Sequence, residues 1–311
     1  EYNNAVLLRL GLYSKQKLEQ LRTYTGIHFD NIREGNLHLF SDEAEFELGK
    51  RKAEHIQKLG CAVEIADRER CLTIEPALEE ARERLVGGIF APLDESGDAR
   101  LFAEGLMERC RSEHNVTFLM SEEIVDFRQE NNRLRAVSTL NDDIEADAFV
   151  MALGASCPLL LQPLGIRIPV MPVKGYSITF PATKTAPNVS LTDLAHRMVH
   201  SRLGDQMRVA GIAELAGHNT DIVPTHIEQV KRSARHLCPS YEVENASGWA
   251  CLRAMTPGGL PLIGKTRMDN LYLNTGQGTL GWSLSAGSAF LLSDLLEGKP
   301  TEIPVDELQP G

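Results

Sequence analysis

The sequence predicts an α/β protein with α+β character, in which a mixed sheet flanked by helices is joined to a second, antiparallel sheet. Three observations predict it. The nearly apolar run Asp147–Leu153 closes on Gly154, as a buried central strand does. A strand-like Leu271–Thr275 leads through a glycine-rich turn into a helical pattern from Trp282 to about Leu296. After Pro163, Pro169 and Pro172, alternating runs such as Tyr176–Phe180 and Met207–Ala213 carry the period-two pattern of antiparallel strands. The 311 residues suit two domains or one large one. With 42% apolar and 24% charged residues, the chain has the composition of a globular protein.

In chain order, apolar residues at helical spacing between Asn4 and Gly26 predict one or two helices, with Gly26 as the C-terminal cap. Asn36–Phe40 alternates like a short strand, and Asp42 offers an N-cap for a helix to about Leu59. Gly87–Pro92 reads as a strand running into a loop. The Asp94–Asp98 stretch opens a helix to about Arg111. Val116–Met120, Glu123–Arg128 and Leu134–Leu140 are β-like, with Asn131-Asn132 turning the chain between the last two. Thr225–Leu237 predicts a helix.

The net charge is −11, and the whole acidic excess lies in residues 1–150. Nucleic acid is therefore excluded as a partner, because phosphate binding needs a basic face. No apolar run is long enough for a membrane span. The six cysteines are scattered without C-x-x-C spacing, the pattern of reduced thiols in a cytoplasmic protein. His196 and His200 stand four apart, but no glutamate follows His196 as the zinc motif requires, so no metal is expected. The chain opens on Glu1 rather than Met, which predicts a preceding segment.

Gly276-Gln277-Gly278-Thr279-Leu280-Gly281 matches G-x-G-x-x-G between a strand and a helix. A nicotinamide-type βαβ unit would need a second parallel strand ending in an acidic residue, and nothing of that kind follows Gly281. The glycines still admit close backbone approach to a ligand, and the helix beginning near Trp282 would turn its positive end toward it. An ordinary strand-to-helix turn is the alternative.

Four linked stretches carry a family resemblance: Ser96-Gly97-Asp98-Ala99-Arg100-Leu101-Phe102, Ala152-Leu153-Gly154-Ala155, Pro172-Val173-Lys174-Gly175-Tyr176-Ser177, and the long C-terminal block from Arg253 to Trp282. In this order they resemble the FAD-dependent D-amino acid oxidase superfamily, and within it the bacterial D-amino acid dehydrogenase small-subunit branch. Two positions depart from the pattern: Arg253-Ala254 stands for Arg-Pro, and Thr256-Pro257-Gly258-Gly259 for Thr-Pro-Asp-Gly. The family opens with an ADP-binding βαβ unit, and the resemblance implies that this sequence starts after it. The resemblance thus implies a truncated FAD-binding domain with a mixed sheet plus an antiparallel-sheet substrate domain. Residues 1–35 would be a helical part of the FAD-binding region, 36–92 and 167–252 the substrate domain, and 93–166 and 253–311 the rest of the FAD-binding domain.

The resemblance implies FAD as cofactor and hydride transfer from an amino acid α-carbon to flavin N5, with hydrolysis to a 2-oxo acid and ammonia. Gly276, Gly278, Thr279, Leu280, Gly281 and Trp282 would lie against the flavin. Lys174 would touch it, or stand as a solvated strand-end charge. Val125 would meet the adenine, though the residue pattern alone reads as a buried strand valine. Gly154 and Ala155 would sit on the phosphate side. Arg253 would grip the substrate carboxylate through two parallel hydrogen bonds; a surface arginine or a partner of a nearby glutamate is the alternative. Tyr176 frames the substrate or packs as a half-buried strand aromatic. Arg208 and Glu214 also match the family and read as parts of a strand. Implied partners are a small amino acid substrate and a quinone or other electron acceptor, with at most a peripheral contact to the inner membrane. A glycine, sarcosine or proline-type amine oxidoreductase is the near alternative, and a non-catalytic fragment unable to hold FAD the distant one.

Overall fold

The computed structural model describes residues 2–310. The opening apolar pattern forms one helix, α1 (Tyr2–Thr25). Gly26, at φ +62°, ends it by donating its N–H to Arg22 O at 2.8 Å, the left-handed cap that glycine adopts without strain. β1 (Asn36–Phe40) follows, then α2 (Glu43–Lys58), whose cap Asp42 accepts from Glu45 N. Sequence reasoning assigned nothing between residues 61 and 85. That stretch forms β2 (Glu64–Asp67), α3 (Arg68–Ile74) and a 3₁₀ helix (Pro76–Arg84). β3 (Gly87–Ala91) precedes α4 (Ala99–His114), which Asp98 caps by accepting from Arg100 N and Leu101 N. β4 (Ile124–Glu130), β5 (Arg133–Thr139), β6 (Asp143–Glu145), β7 (Phe149–Met151) and α5 (Cys157–Leu161) come next. Asn131 and Asn132 both take positive φ in the β4–β5 turn.

The second half holds β8 (Met171–Pro181), β9 (Ser190–Asp193), β10 (Met198–Leu203), β11 (Gln206–Glu214), α6 (Pro224–Leu237), β12 (Ser247–Met255), β13 (Leu262–Lys265), β14 (Leu271–Thr275) and α7 (Gly281–Leu296). Eight strands form the main sheet in the order β12-β8-β11-β10-β9-β1-β3-β2, and α6 closes the apolar core on one of its faces. Two three-stranded sheets, β13-β14-β7 and β4-β5-β6, complete the molecule. α1 packs on α7 through Val6, Leu10, Tyr13, Leu284 and Leu291. The contact is close enough that Gly287 N donates to Ser14 Oγ at 3.0 Å, and a Cβ on Gly287 would meet Ser14 Cβ at 2.8 Å.

Two expectations need correction. Val116–Met120 pairs with no strand, and its Val116, Leu119 and Met120 stay exposed. The run Asp147–Leu153 is reduced to the three residues of β7, which among the described residues pairs with β14 alone, so Val150 is 45% exposed and Met151 is the buried residue of the strand; an apolar run does not by itself specify burial on both faces. The fold class holds: the strands between Met171 and Met255 pair antiparallel, and the parallel pair of β1 with β9 joins them to the rest of a mixed sheet. Among the described residues no strand follows α7, which removes the dinucleotide reading of Gly276–Gly281.

Candidate active site

β12 brings the candidate residues together. Its register pairs Arg253 with Val173 and Cys251 with Gly175 of β8, so Arg253 projects from the sheet face that also carries Gly175, Ser177, Cys251 and Trp249. Because Gly175 has no side chain, the guanidinium lies directly over the backbone. A Cβ there would fall 2.3 Å from Arg253 Cζ. Arg253 Nη1 donates to Ile212 O at 2.9 Å and Nη2 to Gly211 O at 3.5 Å. Those bonds use two of the five guanidinium donors, and no carboxylate partners it among the described residues. Burial lowers its pKa from the ordinary value. The paired-arginine alternative therefore has no glutamate to support it.

A cavity of about 170 Å³ opens beside this guanidinium, lined among others by Gly175, Tyr176, Arg208, Trp249, Cys251 and Arg253. It is smaller than the roughly 300–1,000 Å³ of drug-sized ligand sites and so suits a small substrate. No Asp, Glu or His lines it, so nothing there neutralises an arriving anion's partner or serves as a general base. A larger cleft of about 340 Å³, lined by Arg68, Arg84, His196 and His236, lies by the C-terminal turn of α6 and contains none of the candidate residues.

The end of β12 reaches both glycine turns. Gly276 and Gly278 take φ of +83° and +58°; a Cβ on the first would stand 2.8 Å from Thr256 Cγ2, and on the second 2.9 Å from Met255 Sδ. Gly154, at φ +56°, faces Ala254, and Thr275 Oγ1 donates to its carbonyl at 3.0 Å. His218 Nε2 lies 3.1 Å from Ala155 O, tying the segment after β11 to the same turn. Thr279 and Leu280 are exposed. α7 starts at Gly281 without a side-chain cap, and nothing lies within 4 Å of that glycine's would-be Cβ. The positive end of the α7 dipole lies there and favours a negative charge placed nearby.

Of the remaining candidates, Tyr176 adjoins the cavity and the others sit elsewhere. Trp282 turns its ring into an aromatic cluster, 5.5 Å from Phe102 and 5.7 Å from Phe29. Val125 is the extra residue of a bulge in β4 and is 50% exposed, not buried as its pattern suggested. Tyr176 and Lys174 project from the opposite face of β8 to Arg253 and are almost fully buried. Tyr176 donates its hydroxyl to Glu214, and the Lys174 ammonium lies 3.1 Å from the same Glu214 oxygen. Burial pulls the Lys174 pKa down, but its bonds to Tyr176 and Glu214 outweigh this and raise it; the Tyr176 bond, with Lys174, holds the Glu214 carboxyl below its usual range. The sequence reading overlooked Gly175, Ile212 and Trp249. For Gly175 the signal was a glycine inside a strand pattern, which marks close approach by another group.

A helix terminus without a side-chain cap, two adjoining glycine turns and an arginine without a carboxylate partner thus meet at the end of β12. Comparison with known proteins places the chain. Residues 1–295 match the family described as FAD dependent oxidoreductase (DAO), and the chain belongs to it. It is 40% identical to a D-amino acid dehydrogenase of Rhizobium rhizogenes, over 98% of this chain and 74% of that protein. It is 41% identical to one of Paramagnetospirillum magneticum, over 99% of this chain and 74% of the relative. A glycine oxidase from Geobacillus kaustophilus shares the fold with a TM-score of 0.86 at 23% identity, covering 98% of this chain and 81% of that one. The L-proline dehydrogenase from P. horikoshii does so at 0.85, with 20% identity, 97% of this chain and 82% of that chain.

The cofactor of the family is FAD, and the residues present fit its flavin end. α7 starts without a side-chain cap beside open space at Gly281, where the positive end of its dipole would favour a ring's negative edge; Gly276 and Gly278 are packed by Thr256 and Met255 and shape the turn. The chain has no helix long and apolar enough to cross a membrane among the described residues.

Proposed function

We propose that the chain oxidises a D-amino acid to its imino acid, which water converts to a 2-oxo acid and ammonia, and that Arg253 anchors the substrate carboxylate. The observation that carries this reading is the unpaired guanidinium held against Gly175 at the mouth of a cavity without acidic residues. Its free N–H groups match the two oxygens of a carboxylate, and gripping both fixes the direction of the α-carbon. The D-amino acid dehydrogenase relatives support the substrate class. When bound, FAD supplies the hydride acceptor.

The protein's own contribution is orientation and electrostatics. Since no carboxylate or imidazole lines the cavity, the amine would arrive neutral rather than be deprotonated there. The α7 terminus and the Gly276–Gly281 turn would stabilise negative charge on the cofactor, an effect worth roughly 0.3 to 2 kcal/mol for one charge. We assign the phosphate side of the cofactor to Gly154 and Ala155, and the adenine to the exposed bulge at Val125. Electrons would leave to a quinone or another acceptor, met at most through a peripheral membrane contact.

A substrate panel tests the reading. D-alanine and other D-amino acids should be turned over in preference to their L-forms, and Arg253→Ala should raise KM by at least 10-fold, the loss of one charge-assisted hydrogen bond of about 1.5–3 kcal/mol. Preference for glycine, sarcosine or L-proline would move the chain to the amine oxidoreductase alternative, which the glycine oxidase and L-proline dehydrogenase folds also accommodate.

A further inference from the structure

On the face of the sheet away from the cavity lies a polar cluster that the proposed chemistry does not use. Lys174 and Tyr176 are each only 1% exposed, yet both converge on one oxygen of Glu214. The ammonium also donates to Asp221 O at 3.0 Å, and the His226 ring stacks edge-on against Tyr176 at 4.9 Å. Lys174 is buried while the Glu214 side chain stays 27% exposed, and desolvating the ammonium offsets part of the attraction, so stability alone is a weak reason for the pair.

Its position in the register gives it another task. β11 and β8 pair regularly up to Gly211 opposite Tyr176, and next at Glu214 opposite Lys174, so β11 spends three steps where β8 spends two. The extra residue makes a bulge, and Ile212 within it takes φ +60°. A β-branched residue in that left-handed region is strained and persists only where its surroundings enforce it. The two β8 residues flanking Gly175 are the ones that hold Glu214, and they close the bulge from behind. What the bulge presents on the other face is the Ile212 and Gly211 carbonyls, the two acceptors that fix the Arg253 guanidinium.

We infer that Lys174, Tyr176 and Glu214 are positioning residues: acting through the strained Ile212 bulge, their ion pair and hydrogen bond set the angle at which Arg253 meets the substrate carboxylate. The inference rests on the reading of Arg253 as the carboxylate anchor. Lys174 and Glu214 do not line the cavity, and the Tyr176 side chain, whose residue does, projects from the opposite face of β8. Releasing Glu214 lets Ile212 relax toward ordinary extended backbone, its carbonyl turns away, and the guanidinium loses its direction while keeping its charge.

The test is calorimetric titration of the FAD-saturated protein with propionate, a carboxylate probe, and with propionamide, its neutral counterpart. Glu214→Gln and Lys174→Met should weaken propionate by 10- to 100-fold, the range that a misplacement of about 1 Å can produce, and leave propionamide unchanged. Lys174→Arg, which keeps the charge, should recover most of the loss. General destabilisation would lower the fraction of competent protein without changing the ratio of the two affinities. Should Lys174→Met fail to fold, Glu214→Gln, which has nearly the same shape and can still accept from Tyr176, decides alone. Native propionate affinity in a folded Glu214→Gln protein overturns the inference. Arg253→Ala separates the two levels: if it binds propionate as the native protein does, the anchor reading itself fails; if it loses propionate while Glu214→Gln does not, only the positioning role falls.

Discussion

Replacing Gly175 with alanine perturbs the candidate site through one added methyl group. The backbone there is not in the left-handed region, so alanine fits the strand, and its smaller unfolded-state entropy favours folding by about 0.4–1 kcal/mol. The space is the difficulty. An ideal Cβ stands 2.3 Å from Arg253 Cζ and Nη2 and 2.4 Å from Nη1, whereas unstrained contacts lie near 3.5–4.0 Å. The guanidinium must retreat by about 1 Å, and can do so because it is the far end of a flexible side chain. It then leaves the Gly211 and Ile212 carbonyls and the place where the carboxylate is to be met. A shift of that size costs up to about 100-fold, or roughly 2.7 kcal/mol of transition-state stabilisation. The expected result is kcat/KM for D-alanine reduced 10- to 100-fold in the FAD-loaded protein, with a thermal midpoint equal to or slightly above the native one. A folded Gly175→Ala protein with kcat/KM within twofold of native would refute the claim that close approach to this glycine aims the arginine.

Other perturbations probe the turn and the core. Gly278→Ala places a side chain at φ +58° and 2.9 Å from Met255 Sδ, so FAD affinity should fall by 10-fold or more in a titration followed by flavin fluorescence. His200 is fully buried with both ring nitrogens unpartnered, and burial depresses its pKa from 6.5 to about 4. Between those values the unfolded chain binds the proton and the folded chain does not, so stability is complete above pH 6.5 and is lost as pH falls toward 4, by about 3 kcal/mol in all. Urea titrations across that window should show the slope, and His200→Leu should flatten it.

The sequence made the helices and the glycine turn legible because their signals are local. Asp42, Asp98 and Gly26 each cap the helix end their patterns announce, and Leu271–Thr275 runs into α7 as its spacing implies. Burial was less legible, since it depends on partners distant in the chain: β7 has the composition of a central strand and one neighbour. Face assignment around the site was not legible at all. Lys174, Gly175 and Tyr176 are consecutive, and only the pairing of β12 with β8 shows that the glycine faces Arg253 while its neighbours face α6. The bulge at Ile212 has no glycine to announce it, so the route from Glu214 to Arg253 appears only in three dimensions.

The central claim is that a carboxylate gripped by Arg253 presents its α-carbon to the flavin. Anaerobic mixing of the FAD-loaded protein with D-alanine or with D-alaninamide, which keeps the amine and the α-hydrogen but lacks the carboxylate, tests it most directly. The account predicts rapid bleaching of the flavin by D-alanine, bleaching by D-alaninamide slower by 100-fold or more, and loss of that discrimination in Arg253→Met. Equal bleaching by both compounds in the native protein would contradict it.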